Sequence, residues 1–248
     1  MRIAKASLLA AALATLAGLG AAAACHGSGA ASTYPVRTST PTVATVAPVA
    51  TIDERFLAVA VDTAQVVGAP FWVPLDAGVE TYQAPGPPYD FTRPKLRALA
   101  SALAPAYLRV GGTTADKVYY DMSDAPVTTP PQPYLYVMTH AQWDAANDFA
   151  TATGMRVLFT INGGPGPRDT SLAWTPDNAR TLLAYTAGKG FDVALWELGN
   201  EVNAFPFAHG LSFKITPDQF AKDVAVAKGL VAATTPGVPL GAPSSAFW

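Results

Sequence analysis

The residues whose types and spacing could do chemistry lie in Trp196-Glu197-Leu198-Gly199-Asn200-Glu201-Val202-Asn203. An apolar run climbs to a Gly-Asn-Glu step and opens into a loop containing Asn203, Phe205, Pro206 and His209. That pattern is a buried strand delivering a carboxyl group, with an amide beside it, to its C-terminal mouth. In a parallel barrel the side chains at that end are the ones that meet a ligand. A carboxyl held there can protonate a leaving oxygen and later take a proton from water. Glu201 is the candidate acid/base, and Glu197, mid-strand, reads as a buried polar contact.

The elements that must position these residues are legible upstream. Phe56 to Val61 is a short continuous apolar run ending at Asp62, as a strand buried on both faces would be. A Pro-rich excursion from about Gly68 to Asp90 follows. Thr92 is expected to cap a helix to about Ala104, with Pro94 in its first turn and Leu96, Leu99 and Leu103 on one face. Ala106–Val110 reads as the second strand, broken by Gly111-Gly112-Thr113, and about 121–136 reads as an irregular insert. Thr139 with Gln142 makes a capping box for a helix that stops at Gly154 and carries Trp143, Ala146 and Phe149 inward. Met155 to Ile161 is the third strand, ending at Asn162-Gly163-Gly164. Helices are expected after Thr175-Pro176 and after Thr216-Pro217, on either side of the motif strand, and a fifth strand near Pro239–Ala242.

Strand and helix alternate five strands deep, which calls for parallel pairing. No Gly-rich phosphate turn follows the first strand, where Asp62-Thr63-Ala64-Gln65 stands, and no Walker-type lysine loop occurs. That weighs against a doubly wound nucleotide-binding sheet. Polar residues at the C-terminal ends of four strands fit an α/β fold of the (β/α)8 TIM-barrel type, truncated after about five strands.

Half of the 248 residues are hydrophobic and the formal net charge is -2. Such a chain can bury a sizeable core and has no electrostatic reason to bind nucleic acid or an anionic membrane. Residues 1–24, with Arg2 and Lys5 before an Ala/Leu-rich stretch, form a secretory signal. Cys25 is the only cysteine and stands directly after it, so no internal disulfide exists and lipid attachment at Cys25 is one of two alternatives, simple secretion being the other. Residues 25–51 are a Ser/Thr/Pro/Ala-rich linker, and 52–248 form the folded domain. No metal-ligand spacing is present and no cofactor is expected.

Four stretches occur in a telling order: Glu54-Arg55-Phe56-Leu57, Pro94-Lys95-Leu96-Arg97-Ala98-Leu99, Pro105 to Thr113, and Trp196 to Glu201. Together they resemble the heparanases and the wider glycoside hydrolase family 79, across about Ile52 to Trp248. The resemblance implies a (β/α)8 barrel hydrolysing β-glucuronides, terminal or internal, with retention. It places Glu201 as acid/base and Asn200 as its amide neighbour. Asp62, Thr113, Asn162 and Asn203 fall at positions lining the sugar site, so the expected partner is a glucuronide-containing carbohydrate. The family's Asn-Glu-Pro-Asn is here Asn200-Glu201-Val202-Asn203.

Retaining hydrolysis needs two carboxyl groups ~5–5.5 Å apart, one to protonate the leaving oxygen and one to attack the anomeric carbon. In the family the attacking glutamate lies on a strand after the fifth. It is therefore expected to be missing from these residues, leaving the chain inactive alone. Two alternatives stay open: another retaining barrel glycosidase acting on a neutral sugar, and a non-catalytic carbohydrate-binding remnant. Asp62 and Asn162 read equally as substrate contacts or loop caps. Arg109 reads as a structural ion pair, and Asp116, Tyr119 and Tyr120 as structural neighbours of the Gly-Gly-Thr turn. His209 is a loop residue that could reach a bound sugar.

Overall fold

Apolar runs too short to stand alone pair side by side in the order in which they occur along the chain. The computed structural model describes residues 50–72, 83–84, 86–242 and 244–246. The segment 1–24, Cys25 and the linker as far as residue 49 lie outside the described residues. Strand β1 (Ala58–Asp62) runs directly into α1 (Thr63–Val67), and β2 (Phe71–Trp72) pairs antiparallel with β3 (Gln83–Ala84). Helix α2 (Pro94–Ser101) leads to β4 (Ala106–Gly111), and a 3-10 turn over Thr113–Lys117 leads to β5 (Val118–Asp121). Then come β6 (Tyr136–Thr139), α3 (His140–Thr153), β7 (Met155–Ile161), α4 (Asp177–Lys189) and β8 (Val193–Leu198). After β8 lie a 3-10 turn at Val202–Ala204, α5 (Phe205–His209), α6 (Pro217–Thr234) and β9 (Leu240–Gly241).

The main sheet has five strands in the order β1-β4-β7-β8-β9, every pair parallel. Spatial order equals chain order with no reversal. A doubly wound sheet reverses direction at its switch point, whereas a barrel keeps winding one way. The two faces agree with that. Leu108, Val110, Val157, Phe159, Ile161, Trp196 and Leu198 are buried in one core with α3, α4 and α6 residues such as Trp143, Leu182, Leu183 and Ala227. By the alternation of a strand, Tyr107, Arg109, Leu158, Thr160, Leu195 and Glu197 belong to the other face, which in a barrel is the interior. The fold is α/β, an arc of the (β/α)8 type whose edges are β1 and β9; it is not closed into a barrel.

Aromatic residues lock the helices to the sheet. Trp143 meets Phe159 edge-on at 4.7 Å and stacks on Trp196 at 6.3 Å between ring centres. The indole nitrogens are satisfied in the core, Trp143 donating to Thr186 Oγ1 at 2.9 Å and Trp196 to Thr235 Oγ1 at 3.0 Å. An aromatic pair of this geometry contributes ~0.5–1.5 kcal/mol beyond its buried area.

Local sequence signals are followed closely where they are capping signals. Thr139 Oγ1 accepts from the Gln142 backbone while Gln142 Oε1 accepts from the Thr139 backbone, and Gly154 ends α3 in the left-handed conformation. At α6 only half of the box forms, because Gln219 turns its amide to Asp223 instead.

Several expectations are corrected. Thr92 does not cap α2: Arg93 holds the cap position without a side-chain bond, and Thr92 is bound by Asp90 Oδ1. Leu96, Leu99 and Leu103 do line one apolar groove, with Val59, Val61 and Leu108, although Leu99 stays 61% and Leu103 40% exposed there and the helix ends at Ser101. The segment expected to be an irregular insert is bracketed by a parallel pair, β5 with β6. Ala194 is a bulge that shifts the β7–β8 register between Val157 and Leu158.

Candidate active site

Parallel register brings the ends of four strands to one rim. Asp62 pairs with Gly111 and Ile161 with Leu198, so Asp62, Gly112, Asn162 and the Gly199-Asn200-Glu201 step share the C-terminal edge of the sheet. The close approach of these loops dictates small residues. Gly112 has φ +91° and lies against the Asp62 carboxylate, where a Cβ would collide. Gly199 has φ +71°, and a Cβ there would sit 2.9 Å from Val202.

Below the rim, on the interior face, a polar layer forms around Glu197. Its Oε2 accepts from Arg109 Nε at 3.0 Å, Arg109 Nη2 at 2.8 Å and Thr160 Oγ1 at 2.6 Å. Arg109 is thus a structural ion pair, and it engages Glu197 through Oε2. The same Nη2 reaches Asn200 Oδ1 at 3.1 Å. A guanidinium can only donate, so the amide oxygen must face Arg109 and Asn200 Nδ2 is turned away from it.

Asp116 is the residue whose importance the sequence understated. It is fully buried in the turn after Gly112, and its two oxygens accept from the backbones of Gly163 at 2.8 Å and Asn200 at 2.9 Å. One carboxyl therefore ties the loops after β7 and β8 together. Burial pushes its pKa up to about 7, against the two backbone hydrogen bonds and Arg168, which lower it.

Asn162, expected to line a sugar site, is 2% exposed. Its Nδ2 donates to Val118 O at 2.9 Å and its Oδ1 accepts from Gly164 N at 2.8 Å, so the amide is spent on holding its own loop. Trp174 Nε1 donates to the Asn162 carbonyl at 2.8 Å, and Arg168, in a buried pair with Asp223 at 2.7 Å, donates to Gly163 O. Asp62 caps α1 by accepting from Ala64 N at 2.8 Å, and burial raises its pKa. Thr113 is exposed at the start of its turn. Asn203 is exposed and its Oδ1 accepts from Ala246 N at 3.0 Å.

Glu201 differs from the other rim carboxyls. Among the described residues its side chain receives no hydrogen bond or ion pair, and it is only half-buried. Its backbone sits at φ +54°, ψ +50°, a left-handed conformation that a glutamate rarely adopts. That strain, of order 1–3 kcal/mol, is tolerated because Asp116 fixes Asn200 on one side and the 3-10 turn Val202–Ala204 begins on the other.

Beyond Glu201, Val202, Phe205 and Ile215 form a small apolar cluster. His209 lies edge-on to Phe205 at 4.8 Å and to Phe213 at 5.6 Å. Its Nε2 is buried and finds no partner among the described residues, so His209 packs the loop. Burial first, then Lys117, pulls its pKa down to about 4. The unfolded chain therefore binds this proton between pH ~6.5 and ~4 while the folded one does not. Stability from this group is complete above pH ~6.5 and declines as pH falls toward ~4. His209→Phe is expected to remove that part of the slope, measured by urea unfolding at pH 4.5 and 7. An unchanged slope would contradict the assignment.

Among the described residues no group of three or more His, Cys, Asp or Glu side chains could hold a metal, and no helix is long and apolar enough to cross a membrane. Residues 87–238 match the N-terminal domain of glycosyl hydrolase family 79. The chain belongs to this family. Within family 79 it is 30% identical to Heparanase-like protein 1 of Arabidopsis thaliana over 57% of this chain, and 30% identical to mouse Heparanase over 45%. It spans 28% of the length of each of these relatives. A solved 4-O-alpha-L-rhamnosyl-beta-D-glucuronidase from Fusarium oxysporum aligns at 21% identity with a TM-score of 0.40, over 56% of this chain and 30% of that one.

Proposed function

We propose that this chain is the acid/base-bearing part of a glycoside hydrolase that cleaves β-linked glucuronides with retention. The observation that carries the reading is Glu201: near Asp62, Asp116 and Glu197, which are all engaged, it is held in a strained backbone with its carboxyl unpaired among the described residues. Glu201 gives its proton to the glycosidic oxygen as the bond to the anomeric carbon breaks. A second carboxylate attacks that carbon, and Glu201 then takes a proton from the water that releases the sugar. Asn200, with Oδ1 held by Arg109, presents Nδ2 to the sugar 2-hydroxyl oxygen, a contact that strengthens in the transition state. Thr113, Asn203 and the outer oxygen of Asp62 form the remaining polar rim.

The attacking carboxylate is not among the engaged rim groups: Asp62 caps a helix, Asp116 is buried and Glu197 is neutralised by Arg109. It comes, on this reading, from another strand of the complete barrel. The glucuronide class is supported by family membership and by the names of the relatives. Export through residues 1–24, with lipid attachment at Cys25 and simple secretion as its two alternatives, belongs to the same proposal.

The test is turnover by the assembled barrel of matched aryl β-glucuronide, β-glucoside and β-xyloside. The glucuronide is expected to be favoured at least tenfold in kcat/KM, about 1.4 kcal/mol of discrimination. Comparable turnover of the neutral glycosides would overturn the substrate class while leaving the glycosidase reading intact.

A further inference from the structure

We propose that the cavity between the β2–β3 ribbon and the start of α2 is a second carbohydrate site, which takes an acidic sugar. Its acidic preference follows from its own cations, while its service to the same substrate rests on the glucuronide reading above.

The cavity holds about 430 Å³, within the ~300–1,000 Å³ of small-molecule sites. Phe71 and Trp72 line it together with Gln65, Tyr89 and Arg93. Trp72 is 64% exposed, an unusual position for the largest aromatic side chain, and a flat indole suits the C–H face of a pyranose ring. Part of this lining is ordered, since Gln65 Nε2 donates to the Tyr89 hydroxyl and Tyr89 N donates to Gln65 O at 2.7 Å.

Charge selects the kind of sugar. The Arg93 guanidinium is exposed and makes no hydrogen bond or ion pair to a described residue, and its planar fork matches a carboxylate. Lys95 lines an adjoining depression of about 360 Å³ that shares Tyr89, Asp90 and Arg93 with the first. The acid on the shared rim, Asp90, is exposed: its Oδ1 accepts from Thr92 N at 2.9 Å and Thr92 Oγ1 at 2.6 Å, and these bonds, with the nearby charges of Arg93 and Arg97, lower its pKa. Two cations, Arg93 and Lys95, thus outnumber the one carboxylate lining the two depressions, and one oxygen of that carboxylate is held by Thr92.

The site also connects to the rim. Helix α1 starts from Asp62, whose Oδ1 holds Ala64 N, and both Ala64 and Gln65 line the cavity. One short helix therefore separates the strand mouth from the aromatic lining, so an oligosaccharide entering at the rim can extend across it.

The experiment is calorimetric titration of the 248-residue chain with an oligosaccharide of alternating glucuronic acid and N-acetylglucosamine, against a neutral N-acetylglucosamine oligomer of equal length. The acidic oligomer is expected to bind at least tenfold more tightly. Trp72→Ala and Arg93→Gln should each weaken it about tenfold, since each removes one exposed anchoring contact. Arg93→Lys should recover part of the loss. Wild-type affinity in both Trp72→Ala and Arg93→Gln, equal binding of the neutral oligomer, or no binding of the acidic one would overturn the proposal. Failure of the glycosidase reading alone would leave this binding pattern intact and remove only turnover.

Discussion

Glu201→Ala in the assembled barrel lowers turnover of a β-glucuronide with an alkyl leaving group by about 10²–10⁴-fold, the usual contribution of a positioned acid/base. The loss shrinks sharply for a nitrophenyl leaving group, which departs without a proton. The reason lies in what Glu201 does and does not touch. Its carboxyl supports no loop and pairs with no described residue, so truncation leaves the rim standing. Alanine at φ +54° meets the same backbone strain as glutamate, so stability should change by no more than about 0.5 kcal/mol. Steady-state kinetics over a series of leaving groups, with urea unfolding alongside, reads both effects. A uniform loss across the series would make Glu201 a binding residue instead of a proton donor.

Asp116→Ala should do the reverse, costing stability first and activity as a consequence. It strands the buried N–H groups of Gly163 and Asn200, each worth about 1–3 kcal/mol when unsatisfied. A loss of about 2–5 kcal/mol is expected, with kcat falling more than KM as the Asn200-Glu201 step drifts. Asp116→Asn keeps one acceptor and points an NH2 at the other N–H, and should be intermediate. The pH dependence separates this group from its neighbours. With its pKa raised to about 7 in the fold, Asp116 is protonated there where the unfolded chain has lost its proton. Its contribution to stability is therefore highest below pH ~4, falls between ~4 and ~7, and is flat above. That slope opposes the one from His209 and should vanish in Asp116→Asn. Urea unfolding at pH 5 and pH 8 measures it, and an identical slope in the variant would sink the assignment.

Where signals were local, the chain could be read directly. Thr139 and Gln142 are three residues apart and their box forms; Met155–Ile161 is apolar throughout and is β7. The alternation of such runs with capped helices carried the parallel arc, and Gly199-Asn200-Glu201 stands at a strand mouth as its context required. What escaped was pairing across distance. Nothing local joins Val118–Asp121 to Tyr136–Thr139, two four-residue strands separated by a Pro-rich stretch. Arg109 and Glu197 meet across 88 positions, and Asp116 reaches Asn200 across 84. Leu99 and Leu103 have the spacing of a buried face and do line an apolar groove with Val59 and Val61 of the edge strand β1, yet they stay 61% and 40% exposed there. Asn162 shows the same limit from the other side. Its position at a strand end suited a ligand contact, and only the Val118 carbonyl brought beside it reveals that its amide is committed to the loop.

The most direct measurement of the central claim is azide rescue of Glu201→Ala on an aryl β-glucuronide with a good leaving group. Without its base the enzyme accumulates the glycosyl intermediate, and azide, which needs no proton removed, should discharge it. With Glu201 as the base, turnover rises with azide and the product is a glucuronyl azide of β configuration. Wild-type turnover of unactivated glucuronides by Glu201→Ala, or an azide product of α configuration, would contradict it.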